Sequence, residues 1–260
     1  MFSAPHRQNH EHADVGAEPA LCARSIATAA WAAAGAATGC LLCVMVARLV
    51  PGAGKGIPAL WLGTLGLHGG STAAAVVFLR RGSPFPWRID LGVSGPALHL
   101  ADIARAALIV AWVYPMVMLV TGVAAAVQSA LGFPVRAAPL LQLARGQSGV
   151  LFWASLSMTA LVVAPLVEEF LFRHVLHNAF TSARVRRPSL LCAFVFAAVH
   201  LTPYQLPGLM LLGLVLQRER ERSGGIRRSI LVHLLFNAIA LGILAAIRAF
   251  DIELPDLSTP

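Results

Sequence analysis

Seven apolar runs, at about 26–47, 57–79, 106–131, 149–180, 189–201, 206–217 and 229–249, take up most of this chain and leave it few folds to choose from. A helix rises 1.5 Å per residue, so about 20 apolar residues match a hydrocarbon core of roughly 30 Å. Inside lipid, every backbone N–H and C=O must be satisfied within the protein, which favours helices over open sheets. The first three runs and the last are long enough to span, and the fourth is long and contains a pair of glutamates. The fifth and sixth are short and are joined through Pro203 and Pro207. Three arrangements suit them: tilted helices, helices cut into the bundle, or a re-entrant pair. The expected fold is an all-α polytopic membrane helix bundle with about seven (six to eight) transmembrane helices.

Composition agrees. The 260 residues are 57% hydrophobic and 12% charged, far from a soluble globular profile. Residues 1–24 read as a polar, disordered N-terminal tail, with a flexible His10-Glu11-His12 rather than a metal motif. Residues 25–250 form a single membrane domain, and 251–260 a short acidic C-terminal tail. No cleavable signal peptide is evident, because the first 20 residues lack an apolar h-region.

The net charge of +8 is carried almost wholly by arginine, since Lys55 is the only lysine. The arginines cluster between hydrophobic runs, at Arg80, Arg81 and Arg88, at Arg184, Arg186 and Arg187, and from Arg218 to Arg228. Membrane orientation explains that distribution, and nucleic acid is not an expected partner. With seven crossings these loops share one side with the N-terminus. The positive-inside rule makes that side cytoplasmic and the plasma membrane the expected location. Cys40-Leu-Leu-Cys43 has CxxC spacing but lies in an apolar run without a nearby histidine, so the four cysteines read as inert thiols. The stretch from Trp87 to Ala106 reads as an interfacial amphipathic helix.

Three polar sets interrupt the apolar runs. The first is Glu168-Glu169-x-x-x-Arg173. Each such group costs about 2.5–3.5 kcal/mol in hydrocarbon on insertion scales, so three within six residues need a reason. Residues four apart share a helix face, whereas neighbours diverge by about 100°. Glu169 and Arg173 therefore pair, while Glu168 points elsewhere with no local cation and is suited to act as a general base. Pro165 removes the hydrogen bond to the Leu161 carbonyl and kinks the helix there. The second set puts Phe196 and His200 on one face, where a neutral histidine near Glu168 can hold a water or a metal. In the third, His233 and Asn237 converge as donors suited to an oxyanion. Counted from the basic side, Glu168, His200, His233 and Asn237 lie at depths of about 18, 16, 8 and 14 Å. Those depths are compatible with one cavity open to the cytoplasm.

Taken together and in this order, the three motifs resemble the signature of the CPBP intramembrane proteases. That group includes type II CAAX prenyl endopeptidases and Abi-like bacterial proteins linked to bacteriocin processing and self-immunity. The resemblance covers about 149–245; the first three spans carry no usable motif. It implies an endopeptidase whose active site lies within the membrane, with Glu168 and His200 activating water and His233 and Asn237 stabilising the oxyanion. Glu169, Arg173 and Phe196 are supporting residues. No cofactor is favoured. A His₂Glu zinc site from Glu168, His200 and His233 is the alternative, but HExxH is absent and the His/Asn pair is donor-like. The expected partners are the bilayer and a peptide or protein substrate, lipidated or membrane-associated. Two rivals stand beside this reading. One is a catalytically inactive protein of the same fold serving as an immunity factor or scaffold. The other is a transporter using the carboxylate as a proton relay, although no inverted repeat is visible.

Overall fold

The computed structural model describes residues 17–81, 83–136, 142, 144, 147 and 149–250. Among them the regular structure is entirely helical. Seven helices correspond to the seven apolar runs: α1 (Ala17–Leu49), α2 (Gly56–Arg80), α3 (Leu100–Ala130), α4 (Val150–Ser182), α5 (Pro188–Ala198), α6 (Leu206–Ser223) and α7 (Arg227–Ala249). By length and composition, α1, α2, α3, α4 and α7 can cross a membrane. Their outward faces carry bare apolar side chains, such as Leu41 and Leu42 on α1 and Trp112 and Leu119 on α3. That pattern suits lipid rather than water, and the chain is an integral, multi-pass membrane protein. The acidic tail at 251–260 and residues 1–16 of the polar tail lie outside the described residues. Helix α1 begins at Ala17, inside the segment 1–24 expected as a tail. Ala17, Ala20, Ala23 and their neighbours propagate helix readily once a span anchors it.

The two short runs form a hairpin. Helix α5 has 11 residues, about 16 Å of rise, too little to cross. At its start, the Ser189 hydroxyl donates to Glu221 near the end of α6 (2.8 Å), so the pair enters and leaves at the same end of the bundle. A tight crossing zips it, with Gly213 of α6 against Ala193 and Phe196 of α5. The tip, His200 to Gln205, contains a 3₁₀ turn at Pro203–Gln205 and Leu201 in a left-handed conformation (φ 54°). Irregular backbone of this kind is tolerable inside a bundle where neighbouring helices shield it.

Polar contacts gather at the end from which the hairpin enters. Arg24 donates to the Leu79 carbonyl, Arg105 grips Glu219 through two nitrogens (3.1 and 2.9 Å), and Arg222 adds a third contact to Glu219. The interfacial helix expected over Trp87–Ala106 is interrupted: a single turn, Trp87–Asp90, and a loop through Gly92, Gly95 and Pro96 precede Leu100, where α3 begins. Gly92 and Gly95 at positive φ turn the chain there, while ion pairs at 2.7 Å hold its flanks, Asp90 to Arg80 and Asp102, in the first turn of α3, to Arg228.

The core lies between α3, α5, α6 and α7, where Val110, Val117, Phe196, Leu212, Leu216, Val232 and Phe236 are buried together. A second close crossing joins α1 to α2. Gly35-x-x-x-Gly39 meets Gly66-x-x-x-Gly70, and a Cβ at Gly39 would run into the Gly66 carbonyl. Small residues at four-residue spacing let two backbones touch, the usual means of packing helices in lipid.

Candidate active site

Helix α4 supplies the carboxylates, and it is not a uniform α-helix. Wider π-turns occupy Met158–Val163 and Glu169–Leu176, on either side of a short α segment that ends at Glu168. Such turns concentrate at functional sites because they re-aim side chains and loosen the backbone ladder. In a π-turn the donor to the Ala160 carbonyl would be residue 165, which is proline and has no N–H. Asn237 Nδ2 of α7 donates to that carbonyl instead, at 2.9 Å. The acceptor is thus Ala160, one residue before the Leu161 carbonyl expected from an α-helical count. An Asn amide nitrogen carries two hydrogens, so this bond engages one of them.

Glu169 and Arg173 form the i,i+4 ion pair expected from their spacing, at 3.3 Å, and both side chains are fully buried. The Arg173 guanidinium also lies 4.6 Å from the centre of the Phe196 ring, a cation–π contact strengthened by exclusion of water. Phe196 is the hub of the site. Its ring meets those of Phe172, His200 and His233 at 5.3, 5.1 and 5.9 Å.

His233 joins the two glutamates. Its Nδ1 lies 2.9 Å from Glu169 Oε1, and its Nε2 lies 3.8 Å from Glu168 Oε2. A carboxylate only accepts, so Nδ1 carries the proton donated to Glu169, and Nε2 is the ring atom that faces Glu168. The same logic fixes His200. Its Nδ1 lies 2.8 Å from the Phe196 carbonyl and must donate, which leaves Nε2 uncommitted by that bond. His200 joins the site through its ring contact with Phe196. Glu168, Glu169, Arg173, Phe196, His200 and His233 therefore occupy one site. Asn237 stands one turn beyond His233 on α7, tied to α4.

The groups that approach Glu168 come from other helices, His233 from α7 among them. His68 of α2 also places Nε2 3.2 Å from Glu168 Oε1. His68 lies outside the three motifs. The signal that could have found it is a histidine inside an apolar run, Leu67-His68-Gly69-Gly70, within the glycine-spaced face that packs on α1. Among the described residues, no group of three or more His, Cys, Asp or Glu side chains is disposed to hold one metal ion.

At the basic end, His174 stacks on Phe170 (6.0 Å) with its ring against Gly92, and His177 Nε2 contacts Ser189 Oγ (3.3 Å). Cys192 is buried and donates to the Phe172 carbonyl, while Cys40 and Cys43 are free thiols.

Residues 150–239 match a family model described as Rce1-like, type II CAAX prenyl endopeptidase. The matched segment contains all three motifs, and it agrees with the family resemblance carried by the sequence. No curated protein and no solved structure matches the chain.

Proposed function

We propose that this Rce1-like membrane protein is an intramembrane endopeptidase that hydrolyses a peptide bond with a water activated by Glu168 and His200. The observation that carries the proposal is the bridge Glu168–His233–Glu169, backed by Arg173 and Phe196. Its parts come from two motifs on different helices. A carboxylate and an imidazole with its Nε2 lone pair free are the two acceptors a water needs in order to attack a carbonyl. As Glu168 takes the water's proton, His233 Nε2 is placed to share it. The imidazolium formed is matched by Glu169 at Nδ1, in the manner of a triad carboxylate behind its histidine. Nε2–H of His233 and the second N–H of Asn237 then serve as donors to the tetrahedral oxyanion. His233 returns the proton to the leaving amine, and the carboxyl product leaves with the water oxygen.

The substrate class is a peptide or protein held at the membrane, a prenylated C-terminal CaaX peptide being the first to test. The basic end is taken as cytoplasmic, by the positive-inside rule, and the membrane as the plasma membrane. The mechanism needs no metal, so turnover withstands 1,10-phenanthroline. Inhibition reversed by added zinc would point instead to Glu168, His200 and His233 as zinc ligands. The decisive experiment compares the peptidomes of cells expressing the wild type and Glu168→Gln. It is paired with an internally quenched farnesylated CaaX peptide and purified protein in nanodiscs. Cleavage products are expected only with the wild type, and full activity of Glu168→Gln would overturn the proposal. A phenotype that survives both Glu168→Gln and His200→Ala would favour the rival, an inactive immunity factor or scaffold of the same fold.

A further inference from the structure

We infer that His68 is a positioning residue for Glu168, and that helices α1 and α2, outside the family-matched segment, complete the catalytic centre. The inference rests on the proteolytic reading of that centre and adds to it a residue from 100 positions earlier in the chain.

Three observations carry it. First, the contact is specific: Nε2 of His68 meets one oxygen of Glu168, Oε1, while the other, Oε2, faces His233. Both His68 and Glu168 side chains are only 14% exposed. A largely enclosed carboxylate with one oxygen held by an N–H donor has a single orientation left for its second oxygen, the one that would receive the proton from water. Second, the backbone around His68 is built for this aim. Leu65–Gly69 is a π-turn inside α2, so π-turns flank the interaction on both of the helices that make it. Third, the depth and rotation of His68 are fixed by the α1–α2 crossing. Gly66 and Gly70, two residues to either side of it, abut Gly39 and Gly35 with no room for a Cβ. A histidine that only tied helices together would need neither the π-turn nor a particular carboxylate oxygen.

The chemistry follows. With Nε2–H donated to Glu168, His68 restrains the base without taking a proton from it, and its buried Nδ1 has no hydrogen-bond partner among the described residues. Its contribution falls on the bond-making step rather than on binding peptide. Removing it therefore lowers kcat and leaves KM nearly unchanged.

The test uses full-length protein in nanodiscs, the quenched farnesylated CaaX peptide, and four variants. His68→Leu is expected to lower kcat at least about tenfold with KM within about twofold. His68→Gln, whose amide nitrogen can reach the same oxygen, is expected to regain a substantial part of kcat. Both should keep wild-type membrane insertion and melting temperature within a few degrees. Wild-type kcat in His68→Leu, or equal loss in His68→Leu and His68→Gln, overturns the inference. A cysteine pair, His68→Cys with Glu168→Cys in a background lacking the four native cysteines, gives a readout independent of turnover. A short bis-thiosulfonate should bridge it, and failure to cross-link also overturns the inference. The two proposals fail differently. Inactive Glu168→Gln beside fully active His68→Leu removes only the role of His68, whereas active Glu168→Gln removes the proteolytic reading itself.

Discussion

His233 Nδ1 lies 2.9 Å from Glu169 Oε1, and this buried bond closes two motifs 64 positions apart onto each other. It gives Glu169 two tasks. One oxygen faces Arg173 at 3.3 Å, and the other fixes the tautomer of the histidine that approaches Glu168. The glutamate held between Arg173 and His233 therefore sets the orientation of the ring beside the one proposed to do chemistry.

Breaking this arrangement on one side should cost more than removing it whole. Arg173→Met leaves Glu169 buried without its cation, a loss of about 3–5 kcal/mol for a fully desolvated pair. Glu169→Gln combined with Arg173→Met removes both charges and is expected to recover most of that stability. Activity should stay low, because the histidine loses its carboxylate. Thermal unfolding of the detergent-solubilised variants, followed by intrinsic tryptophan fluorescence, checks the stability half, and peptide turnover the other.

Asn237 is predicted to matter for stability as well as for catalysis. Its amide fills the place that Pro165 leaves empty at the Ala160 carbonyl. Asn237→Ala should destabilise by about 1–3 kcal/mol, the cost of an unsatisfied buried acceptor. Asn237→Asp sets one acceptor against another and should be worse. Pro165→Ala restores a backbone N–H and should soften the Asn237→Ala defect. Melting temperatures of the single and double variants test this coupling.

The α1–α2 crossing makes a steric prediction. Gly39→Val and Gly66→Val drive a side chain into the facing backbone and are expected to destabilise by about 1–3 kcal/mol. They should also lower kcat, by displacing His68. Gly63, on the same helix, has open space where a Cβ would stand, so Gly63→Ala should change neither quantity. Parallel melting and turnover measurements on the three variants decide the matter.

At the basic end, burial raises the pKa of Glu219, but hydrogen bonds and charge from Arg105 and Arg222 outweigh it and hold the carboxyl below its usual range. A folded pKa below the unfolded one contributes stability that is present above the unfolded value. That stability is lost as pH falls through the ordinary carboxylate range toward the folded value. Glu219→Gln should therefore be less stable than wild type near neutral pH, with the difference shrinking on acidification below about pH 4. Melting temperature as a function of pH in both proteins gives the result.

Much of this was legible in the chain itself. Hydrophobic run lengths located all seven helices, since lipid allows little else. The i,i+4 spacing anticipated the Glu169–Arg173 pair, and the order of three polar sets marked the site. The expected interfacial helix forms only at its two ends, because the chain turns between them through Gly92 and Gly95 at positive φ, and local periodicity carries no trace of the Asp90–Arg80 and Asp102–Arg228 pairings that hold the flanks. The Asn237 contact depended on a π-turn that shifts the orphan carbonyl from Leu161 to Ala160. Helical spacing counted at 3.6 residues per turn misses such a shift.

By itself, the sequence determined that the chain is a membrane helix bundle with acids and histidines buried in its second half. Free-energy costs in lipid make those facts local and additive. Only the tertiary structure decided which nitrogen faces which oxygen. It turned α5 and α6 back as a hairpin, pointed His233 at both glutamates, and brought His68 across 100 positions to Glu168. Those choices depend on how helix faces dock, through Gly39 on Gly66 and Gly213 on Ala193, where backbone contact rather than residue type sets the geometry.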